Sequence, residues 1–542
     1  MKRRMLRKIL LLITITLFIY ISCNLQPPIL AIKQNAPFQD IDSSYAKEEI
    51  LALYNDHIMT GTQPRVFAPK QPITRAEFLT TLVRLLRLTP VQANIPSYTD
   101  VPSSSWYYGY IQAATEIGLA SGTGSETFSP SRPITRQEAA TWIIRAFKQQ
   151  PDSVSELPVY QDQSEIASWA LPYVKAVTKL QFMVGYEGLF QPNQPLSRQE
   201  AASLLYRILG HKPWMSAIDR DPSPKIQLGW QYGQTARQYE QSVLNSNVSV
   251  LSPRWFFLEK NRQLKDYTDT SLLTWAKQHN KAIWAMLGNR FDMETTHELL
   301  SSPTETDSFI HSLIAVVQKY GLQGINVDFE NVQPEDRPYF TRFIKLLGKQ
   351  MREAGAVLAV NVSPELGTDW TAAFDYGAIG ANADYVVLMG YDEHWSGSPS
   401  AGSVASLPWV RSGLDTLRQD VPDRKIILAL PFYNRNWTLR GTSQSTAALT
   451  SADITLQEQA ELMQRYKFRP AWNDTLAQYS ASYADGAIHR IWLEESRSLS
   501  LKYQMALARN IAGFAYWHIG GETPDIWTSL SNAERYSSYS FH

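Results

Sequence analysis

The sequence predicts a multidomain chain, an α-helical three-repeat unit followed by an α/β barrel. A motif recurs at a nearly fixed period through residues 38–210, and strand-like and helix-like runs alternate from residue 226 onward. A stretch with three prolines and scattered charge, 211–225, separates the two patterns. A length of 542 residues exceeds one ordinary domain. Hydrophobic content of 44% and charged content of 19% describe a chain that forms cores. Lys+Arg and Asp+Glu both total 51, so no net field recruits nucleic acid or an anionic membrane. Aromatic residues make up 12% of the chain; such rings stack on the apolar faces of sugars but also fill large cores, so the signal is weak alone.

The first eight residues carry five basic side chains, and an apolar run over 9–21 ends at Ser22-Cys23. Residues 1–23 therefore read as an export signal, too short for a comfortable membrane span. Cys23 is the single cysteine, which excludes an intramolecular disulfide and any Cys-rich metal site. Its position resembles the lipidated cysteine of bacterial lipoproteins, although Tyr20 stands where leucine is usual. Simple cleavage and an uncleaved anchor are the alternatives. Beyond this signal or lipid anchor, no membrane partner is expected.

Three units open at Phe38-Gln39-Asp40, Tyr98-Thr99-Asp100 and Tyr160-Gln161-Asp162. Each runs to a Phe-x-Pro (Phe67, Phe128, Phe190) and then to Thr74-Arg75-Ala76-Glu77, Thr135-Arg136-Gln137-Glu138 or Ser197-Arg198-Gln199-Glu200. The period marks a repeat architecture. Thr or Ser with Glu three residues on is a capping box that opens a helix. The Arg between them sits where the helix dipole disfavours a cation, so an anionic ligand is expected to hold it there. These units resemble S-layer homology domains, over 36–95, 96–157 and 158–211. The resemblance implies a pseudo-threefold unit that binds an anionic secondary cell-wall polysaccharide. Arg75, Arg136 and Arg198 would contact the acid, and Trp106 and Trp169 would support the sugar. Tyr45 replaces the tryptophan in the first repeat, so the grooves are expected to be unequal.

After a linker over 212–225, candidate strands lie at 226–230, 248–252, 282–287, 325–330, 357–362, 385–391, 425–431 and 513–517. Helical patterns separate them at 234–244, 270–279, 304–320 and 337–354. Eight such units over 226–535 predict a TIM (β/α)8 barrel. An open doubly wound sheet fits less well, because no glycine-rich phosphate turn follows the first strand. The gap between the seventh and eighth strands predicts an α+β insertion, with a helix at 456–466, a strand at 488–493 and a helix at 499–508.

The fourth strand is the centre of the chemistry. From Ile325 to Glu330 it alternates apolar and polar residues, which puts Asn326, Asp328 and Glu330 on one face. Other strand ends carry Asn361 and Ser363, Met389, Tyr391 and Asp392, Tyr433 and Asn434, and Trp517. Each alone has a core or loop explanation; their convergence on one rim marks a site. Their order resembles glycoside hydrolase family 18. The family's Asp-Gly-x-Asp-x-Asp-x-Glu becomes Gln323-Gly324-Ile325-Asn326-Val327-Asp328-Phe329-Glu330, and its Met-x-Tyr-Asp becomes Met389-Gly390-Tyr391-Asp392. The string from Met389 to Trp409 resembles the branch of spore cortical-fragment-lytic and cell-wall N-acetylglucosaminidases.

That resemblance implies a glycosidase with no cofactor and no metal, acting on an N-acetylglucosamine-containing glycan. Glu330 would be the general acid, and Asp328 would orient the substrate's acetamido group. Tyr391 would bond the acetamido carbonyl, and Asn326, Asn361, Met389, Asp392, Tyr433 and Trp517 would shape the pocket. The expected place is the bacterial cell surface or wall. A non-catalytic chitin- or peptidoglycan-binding surface protein is the alternative; the intact Asp-x-Glu pair argues against it.

Overall fold

The computed structural model describes residues 37–541 apart from 125, 152–159, 366 and 441–447. The expected signal and Cys23 lie outside the described residues. Among the described residues, those up to Gln71 with Ser197–Tyr206 form one compact unit, and those of Pro72–Leu196 with those from Arg207 onward form another.

The repeats reproduce one local design. Asp100 accepts from the backbone N–H groups of Phe128 and Ser129 at 2.8 and 2.7 Å, and Asp162 does the same for Phe190 and Gln191 at 2.9 and 2.7 Å. In the smaller unit, Asp40 ties Phe67 and Ala68 alike. The expected capping boxes form at Thr74/Glu77 and Thr135/Glu138, starting the helices Arg75–Leu85 and Arg136–Ala146. In the larger unit three backbone bonds run in a ring: Ile73 N–H to Leu196 C=O (2.9 Å), Leu196 to Ile134 (3.0 Å) and Ile134 to Ile73 (3.0 Å). This ring is the pseudo-threefold hub.

The stretch read as a linker is partly built into the core. Lys212–Ile218 is a helix, and its Trp214 is buried, stacked on Phe147 at 4.6 Å. Proline at the start of a short helix suits the first turn, so Pro213 opens this helix where the sequence pattern suggests a breaker.

Eight parallel strands close the barrel: β1 (Ile226–Trp230), β2 (Val250–Ser252), β3 (Ala282–Gly288), β4 (Gly324–Asp328), β5 (Val357–Val362), β6 (Tyr385–Met389), β7 (Ile426–Pro431) and β8 (Gly513–Trp517). Each pairs with the next, and β8 pairs with β1. Alternation on β4 divides as expected. Ile325, Val327 and Phe329 pack into the layer between strands and helices. The opposite face looks into the barrel, whose interior is filled by Leu228, Trp230, Trp284, Met286, Val387 and Ile427 among others. At the base of β4, a Cβ on Gly324 would lie 2.6 Å from the Trp284 ring, so glycine is required there.

Two strands stop short of their predicted C-terminal ends. β4 ends at Asp328 and β6 at Met389, which leaves Glu330 and Tyr391 on the connections just past them. The insertion is larger. Tyr433–Arg440, Ala448–Thr455, Ala471–Asn473, Gln478–Ala484 and Ile488–Leu493 form an antiparallel five-stranded sheet with the helix Leu456–Tyr466. Only the last of these strands is expected from the sequence; Ala471–Asn473 is three residues long, Tyr433–Arg440 and Ala448–Thr455 carry Asn, Asp and Thr, and Gln478–Ala484 is rich in Ser and Ala, all weak strand signals.

Within the larger unit, the segment that follows Pro72 packs on the barrel. Asn532 exchanges two hydrogen bonds with the Thr89 backbone at 2.9 and 2.7 Å, and Ser496 donates to Glu116 at 2.8 Å. Lys148 donates to the carbonyls of Tyr536, Ser537 and Tyr539 near the end of helix Pro524–Ser538, where cations are favoured.

Candidate active site

The site is built where β4, β5, β6 and β8 end. Asp328 is 9% exposed and Glu330 half-buried. Beneath them runs a row of hydrogen bonds with one polarity. The indole of Trp230 donates to Asn326 Oδ1 at 2.8 Å, Asn326 Nδ2 to Asn361 Oδ1 at 2.6 Å, and Asn361 Nδ2 to Asp328 Oδ1 at 2.8 Å. An indole N–H can only donate, so it fixes the first amide, which fixes the second. The row therefore delivers a donor to Asp328 and favours its ionised form. This gives the departure at Asn326 a physical role: a neutral amide both accepts and donates, which a carboxylate cannot.

Glu330 is fixed through its backbone. Asn289, past the end of β3, accepts from the Glu330 N–H at 3.1 Å and donates to its carbonyl at 2.7 Å. Burial first, then the charges of Asp328 and Asp392, push the Glu330 carboxyl well above its ordinary pKa, so it stays protonated towards neutral pH. The Asp328 charge contributes less to this shift than burial does. Asp328 is itself pushed up by burial, partly offset by Asn361 and Arg254. Tyr391 lies within the field of Asp328, Glu330 and Asp392, and burial above all keeps its hydroxyl protonated.

Asp392 adopts φ 66°, a conformation rare for non-glycine residues. It accepts from the Tyr433 hydroxyl at 2.6 Å and from Arg435 at 3.0 Å. Tyr433 also meets Tyr391 edge to face, with ring centroids 6.2 Å apart. Trp517 packs on Trp230 at 5.8 Å and on Tyr232 at 5.4 Å, which ties the eighth strand to the amide row. Met389 is buried at the end of β6. Thus Asn326, Asp328, Glu330, Asn361, Tyr391, Asp392, Tyr433 and Trp517 come together as expected.

Asn434 does not join them. It is buried and bonded to Gln459 and to the Glu494 backbone, tying the first strand of the inserted lobe to its helix and to the end of its last strand. Ser363 accepts from the Trp370 indole at 3.3 Å, beside the site. Sequence reasoning missed Trp230, Asn289, Arg254 and Arg435. A polar or aromatic residue at or just past each strand end is the signal that could have found them, applied to all eight strands.

The arginines of the repeats are engaged by the protein itself. Arg75 donates to the Phe128 and Ser121 carbonyls at 2.9 and 3.3 Å, pairs with Glu138 at 2.8 Å, and lies over the rings of Phe128 and Trp142. Arg136 donates to Phe190 and Val184, and Arg198 to Phe67 and Thr60. A cation at these helix starts is thus already balanced by carbonyl oxygens, a role that the dipole argument reserves for an outside anion. Even so, Arg75 lines an open cleft of about 510 Å³ with Arg132, Arg145, Trp142 and Trp169. Trp169 is 53% exposed there; Trp106, 59% exposed, packs on Tyr107 and does not line this cleft.

The model of glycosyl hydrolases family 18 matches residues 236–522, more than half of the chain. The chain belongs to glycosyl hydrolase family 18. S-layer homology domains match at 37–79, 97–140 and 159–202. The uncharacterized glycosylase YvbX of Bacillus subtilis (strain 168) is 29% identical over 317 residues, spanning 56% of this chain and 90% of that one. The cortical fragment-lytic enzyme of Bacillus anthracis is 28% identical over 302 residues, 53% of this chain and 68% of that one. Among solved structures, the spore cortex-lytic enzyme SleL of Bacillus megaterium QM B1551 shares the fold with a TM-score of 0.52 at 22% identity, covering 58% of this chain and 75% of that one.

Proposed function

We propose that this family 18 glycosidase cleaves β-1,4 bonds beside N-acetylglucosamine, in peptidoglycan or chitin-type chains, by substrate-assisted retaining catalysis. The observation that carries this is the common origin of the two acids. Asp328 closes β4 and Glu330 follows two residues on, just past the strand end, near enough for the Asp328 charge to raise the Glu330 carboxyl. Ordinary glycosidases need carboxylates on both sides of the scissile bond. A same-side pair leaves the nucleophile to the substrate, whose 2-acetamido oxygen attacks the anomeric carbon. Glu330 gives its proton to the leaving oxygen and later takes one from water. Asp328, whose ionised form the Asn361 N–H favours, orients the acetamido N–H and balances the positive intermediate. Tyr391 donates to the acetamido carbonyl, Asp392 and Tyr433 hold the distorted sugar, and Trp517 forms the floor.

The repeats anchor the enzyme at the cell wall by binding a secondary polysaccharide, with Arg75, Arg136, Arg198, Trp106 and Trp169 in its grooves. Export through residues 1–23, with Cys23 available for lipidation, completes the path. Products identified by mass from muramic-acid-containing and chitin oligomers test the reaction. N-acetylated chains are cut and N-deacetylated ones resist; rapid hydrolysis of glucans lacking the 2-acetamido group overturns substrate assistance. Trp169→Ala, at an exposed ring, weakens co-sedimentation with isolated walls; an unchanged pellet removes Trp169 from the groove. It is a cleaner probe than the buried Arg75.

A further inference from the structure

Arg254 stands two residues past the end of β2, half-buried on the barrel rim. Its guanidinium lies 5.1 Å over the ring of Tyr232, which packs on the floor tryptophan Trp517. Phe257 lies 5.5 Å away on another side. Among the described residues Arg254 has no ion pair, and its buried Nε has no hydrogen-bond partner. Other rim arginines differ. Arg290 is paired with Glu259 at 2.8 Å, and Arg435 with Asp392 at 3.0 Å and Asp453 at 2.7 Å. A buried guanidinium N–H left without a partner is costly, and such groups are normally satisfied. Aromatic faces favour the cation but supply no acceptor for its in-plane N–H groups.

We propose that Arg254 recognises a carboxylate carried on the glycan bound in the barrel mouth, so that the site prefers acidic N-acetylated chains to neutral ones. The inference rests on the proposed N-acetylglucosamine-containing substrate and deepens it. A planar guanidinium matches a carboxylate through two parallel N–H···O bonds, a geometry that neutral sugar hydroxyls do not reproduce. A lactyl ether on the neighbouring sugar, as in muramic acid, is the carboxylate expected here; chitin-type chains have none. Its selectivity would come from the penalty of leaving Arg254 unpaired when a neutral chain binds. The same positive charge partly offsets the burial that raises Asp328 and Glu330, consistent with a guanidinium directed at the mouth.

The test uses the full chain carrying Glu330→Gln, which binds without turnover. Affinity is measured by calorimetry for an N-acetylglucosamine–N-acetylmuramic acid tetrasaccharide with free lactyl carboxylates and for its methyl amide. The acid is expected to bind at least tenfold more tightly, and adding Arg254→Gln should bring the ratio near one. Arg254→Lys, which keeps the charge but loses the planar fork, should retain an intermediate ratio. Rising salt should erode the preference with Arg254 intact, a readout that needs no variant at this position. Equal affinity for acid and amide with Arg254 present overturns the inference, as does a ratio that survives Arg254→Gln in a folded variant. Wild-type turnover on the same two compounds is the separate arm. Cleavage with a ratio of one leaves the enzyme and removes the role of Arg254. A retained ratio without cleavage leaves the recognition and removes the reaction.

Discussion

At the barrel mouth, Asp328 and Glu330 lie close to Tyr391 and Asp392 and feel the charge of Arg254. At the seam between the second repeat and the barrel, Glu116, Glu495 and Asp525 are buried at 1%, 7% and 8% exposure. Burial raises the pKa of Asp328, Glu330, Glu116, Glu495 and Asp525 alike. Their surroundings differ. The mouth has a cation, strand ends that converge and a donor row aimed at one carboxylate. The seam has serine hydroxyls and backbone N–H groups, and Glu495 caps the helix Ser496–Leu507 by accepting from Arg497 and Ser498 at 2.8 and 2.7 Å. A raised pKa therefore marks desolvation first; only convergent, reachable geometry makes it chemistry.

The largest effect separates the two places outright. Glu330→Gln should lower turnover by about 10²–10⁴-fold, the usual contribution of a general acid, while the thermal midpoint holds or rises. Equivalent loss from Glu116→Gln, with Glu330→Gln near normal, would reverse the assignment. Activity on N-acetylated oligomers and a melting curve decide between them.

The seam has its own signature. Glu116 is pushed up to about 8 from 4.5 by burial. Below 4.5 both folded and unfolded states hold the proton and no penalty arises. Between 4.5 and about 8 the unfolded chain releases it and the folded chain does not, so stability falls as pH rises. The slope is about 1.4 kcal/mol per pH unit for one group. Glu495, raised to about 7, adds in the same direction. Glu116→Gln keeps an oxygen for Ser496 and should flatten the fall, stabilising the protein at pH 8 by a few kcal/mol, on the order of two to four. A midpoint profile as steep as the wild type's would show that Glu116 ionises freely.

How much of this was legible in the sequence follows from the range of the interactions. The face shared by Asn326, Asp328 and Glu330 is a local fact of strand period, and it survives although β4 stops at Asp328. The repeat capping boxes are equally local. Asn289 and Arg254 were missed because their role comes from neighbours distant in the chain. The docked seam was invisible for the same reason: Glu116 is an ordinary helical glutamate until Ser496, 380 residues on, arrives beside it. Trp214 in the expected linker carried a warning, since a large aromatic in a solvated tether would have no partner.

A smaller effect tests the donor row. Asn326→Asp should reduce kcat about tenfold near neutral pH, because the introduced carboxylate accepts from Trp230 and has no N–H for Asn361 unless protonated. Asn361 then loses its fixed orientation beneath Asp328, a disruption of about 1–3 kcal/mol. The activity lost should be partly recovered as pH falls and the new carboxyl gains its proton. A variant with unchanged rate and pH profile would mean that the row is merely packed and does not aim Asp328.

The smallest expected change is at Glu495, where two terms oppose. Replacing it with Gln relieves a buried acid whose pKa stands at about 7, which stabilises the folded chain at neutral pH. The same change weakens the cap, since a charged acceptor at a helix start is favoured by the dipole and by charge-assisted bonds. Each term is about 1–2 kcal/mol, so Glu495→Gln should shift the midpoint at pH 7 little, with the sign turning on pH. Below pH 5 burial costs the neutral acid nothing and Glu495→Gln should be neutral or slightly destabilising; near pH 8 it should stabilise. A strongly destabilising result at every pH would show that the cap outweighs desolvation, and that the seam holds this acid for its charge, as the donor row favours the charge on Asp328.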